Sequence, residues 1–201
     1  MGGVLKAVSY IFHPLLIPFA GTLAYFFITP KYSPEELQTG HLLPIAILTI
    51  FIPILAYLIL YRAGFVSSLF LHDIRERKYP FIINCSLLFM VMYKVIPYQF
   101  TPELYYFFLG LLISQFAAFI LLYFNFKASM HLMGLGNLIL FLIALSIHFE
   151  INITLAIGTF IFFAGFVATS RLYLKAHNGG ELLIGFLIGL LAQLLLIKFW
   201  L

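Results

Sequence analysis

The stretch SRLYLKAHNGGE, residues 170 to 181, places Arg171, Lys175, His177 and Glu181 between two apolar runs of a chain in which charged residues make up only 9% of the total. These residue types suit the handling of a phosphate ester. An imidazole attacks phosphorus when its other nitrogen is held by a carboxylate, which selects the tautomer and stabilises the charged ring; His177, with Glu181 four residues later, supplies both groups. Negative charge on a phosphoryl group in transit needs fixed positive donors, for which the planar fork of arginine is well shaped. Arg171 is one such donor, preceded by the hydroxyl of Ser170, and Lys127, Arg75 and Arg77 are further candidates. His131, four residues after Lys127 with Ser129 between them, is of a type that protonates a departing oxygen. The Asn-Gly-Gly before Glu181 lets backbone come close to a ligand, and a helix beginning there offers unpaired amides to an anion.

The elements that must position these residues are membrane helices. With 64% hydrophobic and 18% aromatic residues and a mean hydropathy of +1.11, the chain lies far from soluble domains, which are nearer half apolar and about a quarter charged. Repeated apolar runs of about 20 residues, each long enough to cross roughly 30 Å of hydrocarbon, predict an all-α, polytopic transmembrane bundle of six to seven spans. A barrel would show short alternating segments instead. The spans fall near residues 7–29, 41–61, 80–99, 104–125, 134–149, 152–169 and 182–200, in one domain covering residues 1–201. The first run is too long for a cleavable secretory segment and reads as a retained helix. Cys85 is the only cysteine and lies inside an apolar run, which excludes an intramolecular disulfide and a cysteine-built metal site. The net charge of +4 comes from 11 Lys and Arg spread along the chain. No soluble basic face is available to hold a duplex, so membrane lipids are the expected partner and nucleic acid is not.

Each span reverses the side on which the next loop emerges. The loops carrying HDIRERKYP, KASMHLMG and SRLYLKAHNGGE therefore share one membrane face, and the plain connections around Glu35, Glu36, Glu103 and Glu150 share the other. The first face collects Arg62, Arg75, Arg77, Lys78, Lys127, Arg171 and Lys175 together with His131 and His177. Cytoplasmic loops accumulate Lys and Arg merely to fix orientation. That rule explains cations alone, not the histidines, Ser129 and Glu181 set among them.

The residues now assembled resemble the signatures of the type 2 phosphatidic acid phosphatase family, within the acid phosphatase and vanadium haloperoxidase superfamily. The third signature, Ser-Arg, five residues, His, three residues, Asp, is matched by Ser170, Arg171 and His177, with Glu181 in place of the aspartate. The second, Pro-Ser-Gly-His, is matched by Ser129 and His131, with Ala128 and Met130 replacing proline and glycine. The first, Lys, six residues, Arg-Pro, is degenerate: HDIRERKYP keeps Pro80, puts His72 at the lysine position and Tyr79 before the proline, and leaves Arg75, Arg77 and Lys78 displaced. The resemblance spans Arg75 to Glu181. It implies His177 as nucleophile, Glu181 as its orienting carboxylate, His131 as the acid for the leaving group, and phosphate contacts from Arg171, Ser170, Ser129, Lys127, Arg75 and Arg77, with no metal and no cofactor. The implied substrate is a lipid phosphate or pyrophosphate; phosphatidic acid, phosphatidylglycerol phosphate, polyprenyl pyrophosphate and lipid A phosphate all stay open. So do transfer to an acceptor other than water, and a non-catalytic lipid-phosphate binding or transport protein that keeps the anion site. In bacterial relatives the site commonly faces the periplasm, which is the orientation the resemblance implies here, in an inner membrane. His13, His41 and His148, within or beside apolar spans, read as packing or interfacial residues.

Overall fold

The computed structural model describes residues 2–67 and 76–201, and among these there is no strand. Six helical segments are long and apolar enough to cross a membrane. The first expected span is divided into α1 (Gly2–Ile11) and α2 (Ile17–Ile28) by a short 3-10 turn, Pro14–Leu16. Pro14 has no N–H to continue α1, and His13 Nδ1 accepts the Leu15 N–H at 3.3 Å, capping the turn. The second span runs as α3 (Glu35–Ala46), a π-helical stretch (Ile47–Phe51) and α4 (Ile52–Arg62). Pro44 and Pro53 each remove a helical donor there, and the wider turn absorbs the mismatch.

Next come α5 (Lys78–Lys94), α6 (Pro102–Tyr123), α7 (Met130–His148), α8 (Thr154–Tyr173) and α9 (Gly179–Ile197). At 17 residues α5 is about 26 Å long, a little short of the hydrocarbon thickness, and it is the one expected span outside the six. The fifth expected span begins four residues earlier than its apolar run, because α7 starts directly after Ser129 and takes in Met130 and His131.

Helix α7 is the axis of the molecule, buried along most of its length, as befits a helix apolar on every side. Its tightest neighbour is α9, and small residues permit the approach. A Cβ on Gly185 would sit 2.6 Å from the Ser129 carbonyl oxygen, and one on Gly189 would run into the Met133 carbonyl. Where the two helices meet α6, Gln193 Nε2 donates to Asn137 Oδ1 (3.2 Å) and to the Phe107 carbonyl (2.9 Å), while Asn137 Nδ2 donates to Ser114 Oγ (3.0 Å). The starts of α7 and α9 are thereby fixed side by side, and Ser129 N–H donates to the Glu181 carbonyl at 3.0 Å.

Candidate active site

Helix α8 ends in a Schellman turn: Lys175 N–H donates to the Leu172 carbonyl and Ala176 N–H to that of Arg171, with Lys175 at φ 51°. The chain then reverses, and Asn178 caps α9. Its Oδ1 accepts the Glu181 N–H at 2.9 Å, and Glu181 Oε2 accepts the Asn178 N–H at 3.1 Å, completing a capping box. The same Glu181 Oε2 lies 2.9 Å from His177 Nδ1. A carboxylate only accepts, so the His177 proton sits on Nδ1 and Nε2 carries the lone pair. Burial lowers the His177 pKa to about 4; the Glu181 hydrogen bond opposes this, and the charges of Lys127, Arg171 and Arg77 push it further down. The ring is therefore neutral at ordinary pH, with a free nitrogen beside three cations.

His177, His131, Arg171, Lys127 and Arg77 line one cavity of about 710 Å³, a size suited to a small ligand. Its other limb runs between α4 and α5 and is largely apolar, with Leu48, Pro53, Phe81, Leu87 and Leu88 on its wall. Lys127 Nζ donates to the Ala176 carbonyl at 3.0 Å and so ties the loop before α7 to the loop before α9. Burial lowers the pKa of Lys127, helped by the charge of Arg77, and burial likewise brings Arg77 down to about 10, helped by Arg171. Arg171 forms no ion pair with any described residue, and its Nε is buried without a hydrogen-bond partner. Cations crowded closely enough to depress one another, one of them with no carboxylate partner among the described residues, give this part of the cavity the charge an anion would complement.

Not every expected contact faces the cavity. Ser170 is fully buried behind the wall, where its hydroxyl donates to the Leu5 carbonyl (2.6 Å) and pairs with Ser9 Oγ (2.7 Å), anchoring α1 to α8. Ser129 is also fully buried; it supplies its backbone to the α7–α9 contact, and its hydroxyl has no partner. Both serines support the site rather than line it. Arg75 lies outside the described residues. Among the described residues no group of three or more His, Cys, Asp or Glu side chains is placed to hold a metal ion.

The N-terminal segment adds groups that the spacing of motifs did not bring forward. His131 Nε2 lies 3.1 Å from the Ser9 carbonyl, which can only accept, so the neutral His131 ring carries its proton on Nε2 and keeps the lone pair on Nδ1. His13, expected to be a packing residue, lines the cavity and meets His131 edge to face at 5.5 Å. Because His13 Nδ1 accepts from Leu15, its neutral ring holds the proton on Nε2. A sequence signal was present: a His-Pro pair inside an apolar run marks a broken helix with a polar group at the break. Lys6 lines the same cavity. Counting spans puts the N-terminus on the same face as the three basic loops, so Lys6 too was open to prediction.

No protein-family model, curated protein or solved structure matches the chain. Any account of its activity therefore starts from these residues.

Proposed function

We propose that the protein is a membrane lipid phosphatase, hydrolysing a phosphomonoester or pyrophosphate of a lipid through a phosphohistidine at His177 and without a metal ion. The observation that carries this reading is the position of His177: its Nδ1 is held by Glu181 at 2.9 Å, and its ring stands at the cationic end of a cavity whose other limb is apolar. The phosphate rests among Arg171, Arg77 and Lys127, and the tail occupies the apolar limb. His177 Nε2 attacks phosphorus, an N–P bond forms, and the bond from phosphorus to the bridging oxygen breaks. Glu181 stabilises the ring as it becomes positive, and the departing oxygen takes a proton from Nδ1 of protonated His131. Water then attacks the phosphohistidine, giving up its proton to His131, and inorganic phosphate leaves with His177 restored. Ser170 and Ser129 act here as positioning residues. The resemblance to the type 2 phosphatidic acid phosphatase family supports the roles of His177, Glu181, His131 and the cations, and it favours a site on the periplasmic side of a bacterial inner membrane.

The purified protein is offered phosphatidic acid, phosphatidylglycerol phosphate, a polyprenyl pyrophosphate and lipid A phosphate. Release of inorganic phosphate from at least one, blocked by vanadate as a mimic of the five-coordinate transition state, is the expected result. Binding without release from any of the four would make it a lipid-phosphate binding protein instead. Orientation is read separately, from a cysteine introduced at Gly179: labelling in intact cells by a reagent that does not cross the inner membrane is expected, and labelling only after that membrane is permeabilised overturns the assignment.

A further inference from the structure

His131 and His13 are both tied to the N-terminal segment, each by one ring nitrogen. His131 Nε2–H donates to the Ser9 carbonyl at 3.1 Å, and His13 Nδ1 accepts the Leu15 N–H at 3.3 Å. With those atoms committed, each neutral ring has one nitrogen left to offer, and the two are opposite in kind: a lone pair on His131 Nδ1 and a proton on His13 Nε2. Neither has a hydrogen-bond partner among the described residues. The rings meet nearly at right angles with centroids 5.5 Å apart, and both line the cavity that holds His177. Capping the turn at Pro14 does not call for an imidazole, since serine, threonine, aspartate and asparagine are the preferred caps. A second ring nitrogen, half-buried within an apolar span and unpaired, is a cost that the turn leaves unexplained. A donor beside an acceptor is complementary to an oxygen that carries a proton.

We infer that His13 is a further catalytic residue: its Nε2–H and His131 Nδ1 together hold the oxygen that stands opposite His177 on phosphorus. The inference rests on the phosphohistidine reading of the cavity. Because His177 occupies one side of phosphorus, the departing oxygen and the incoming water use the opposite position in turn. In the first half-reaction the bridging oxygen has no proton, so it accepts from His13 Nε2–H while protonated His131 supplies the proton with which it leaves. In the second, water accepts from His13 Nε2–H and aims one hydrogen at His131 Nδ1; the O–P bond forms, the bond from phosphorus to His177 breaks, and that hydrogen passes to His131. His13 keeps its own proton throughout. Its contribution is placement and charge stabilisation by a fixed neutral donor, distinct from the acid and base work of His131. It lies outside Arg75 to Glu181, the stretch over which the signatures match.

Two substitutions separate the two nitrogens of His13. Asparagine puts its side-chain oxygen where Nδ1 sits, keeping the cap and losing the donor; glutamine puts its amide nitrogen near Nε2, keeping the donor and losing the cap. The full-length protein in detergent is titrated with orthovanadate, whose five-coordinate adduct has an oxygen opposite His177, and with inorganic phosphate, which has none there. His13→Asn is expected to bind vanadate about tenfold more weakly, the scale of one hydrogen bond to a charged group, with phosphate affinity and thermal stability unchanged. His13→Gln is expected to unfold at a lower temperature and to keep vanadate affinity within about threefold of the wild type. Unchanged vanadate affinity in His13→Asn, a loss of the same size for phosphate, or a folded His13→Gln protein that binds vanadate as weakly as His13→Asn would each overturn the inference, as would a wild type without vanadate affinity. The wild-type and asparagine proteins decide the matter if glutamine prevents folding. Failure of the phosphatase reading looks different: vanadate binding in the expected pattern, with no phosphate released from any lipid.

Discussion

Glu181 serves two geometries with one carboxylate, closing the capping box of α9 and holding His177. At the third position of a helix, glutamate has the reach to return to the capping residue's N–H, which gives a physical reason for glutamate here in place of the aspartate of the resembled signature. The histidines carry different demands. His177→Ala is expected to abolish turnover of every substrate and to prevent phosphoenzyme formation. His131→Ala is expected to cost about 100 to 10,000-fold on a phosphomonoester and less on a pyrophosphate, whose leaving group needs protonation less. Equal losses on both substrate types would refute that division, as would residual turnover in His177→Ala. His13→Asn keeps an acceptor for the Leu15 N–H and removes the ring from the cavity, and its expected effect is a loss of kcat of about tenfold or more with thermal stability unchanged; loss of stability without loss of kcat would return His13 to the packing role. The acid limb of kcat/KM provides a further test, because the neutral His177 ring is the active form. On that limb activity rises as pH climbs through about 4 and is lost below it, while the need for a protonated His131 sets the opposite limb. Lys127→Met removes a cation that holds the His177 pKa down and is expected to move the acid limb to higher pH, and a limb that stays in place or moves lower counts against the electrostatic account. The spacing of Arg171, His177 and Glu181 made this half of the site legible. The contact of His131 with the Ser9 carbonyl was not, since a backbone acceptor 122 residues away leaves no trace in side-chain types.

At the scale of elements, hydropathy located the helices well, because each crossing needs about 20 apolar residues whatever its neighbours do. It failed where the backbone rather than the side chains decides. The break at His13 and Pro14 and the π-helical stretch between Pro44 and Pro53 follow from proline's missing donor, whereas α7 begins without a side-chain cap, directly after Ser129, whose backbone N–H is held by the Glu181 carbonyl. The contact of α7 with α9 was equally hidden. GELLIGFLIGL reads as an apolar helix, and only packing shows that Gly185 and Gly189 are where another backbone passes. Gly189→Ala drives a methyl into the Met133 carbonyl and is expected to cost about 1 to 3 kcal/mol by overpacking. Activity per folded molecule is expected to fall with it, because α9 carries Glu181 and α7 carries His131. A Gly189→Ala protein with unchanged unfolding and unchanged kcat would show that the helices separate at no cost and that their spacing does not set the site.

The whole molecule is polar at both ends, for different reasons. At the end opposite the cavity Glu103, in the first turn of α6, is 1% exposed and gathers three partners from other segments. Lys31 Nζ lies 2.6 Å away, the Tyr25 hydroxyl of α2 donates to it at 3.1 Å, and His148 at the end of α7 approaches to 3.5 Å. This cluster joins α2, α6 and α7 and faces no described cavity, whereas the cations at the other end surround one. A closed end that fixes helix positions and an open end that keeps unmatched charge is a division that makes mutational effects separable. Glu103→Ala leaves Tyr25 and Lys31 without their acceptor. A fully buried pair broken in this way costs about 3 to 5 kcal/mol, but Lys31 is 42% exposed and recovers water, so a loss of about 1 to 3 kcal/mol is expected. Its kcat, corrected for the folded fraction, is expected to match the wild type, because no group at this end touches the site. Thermal unfolding in detergent, run beside phosphate release at a temperature where both proteins are folded, separates the two quantities. A Glu103→Ala protein that unfolds like the wild type but turns over slowly would mean that the closed end takes part in the chemistry, and the assignment of function to the cationic end alone would then be wrong.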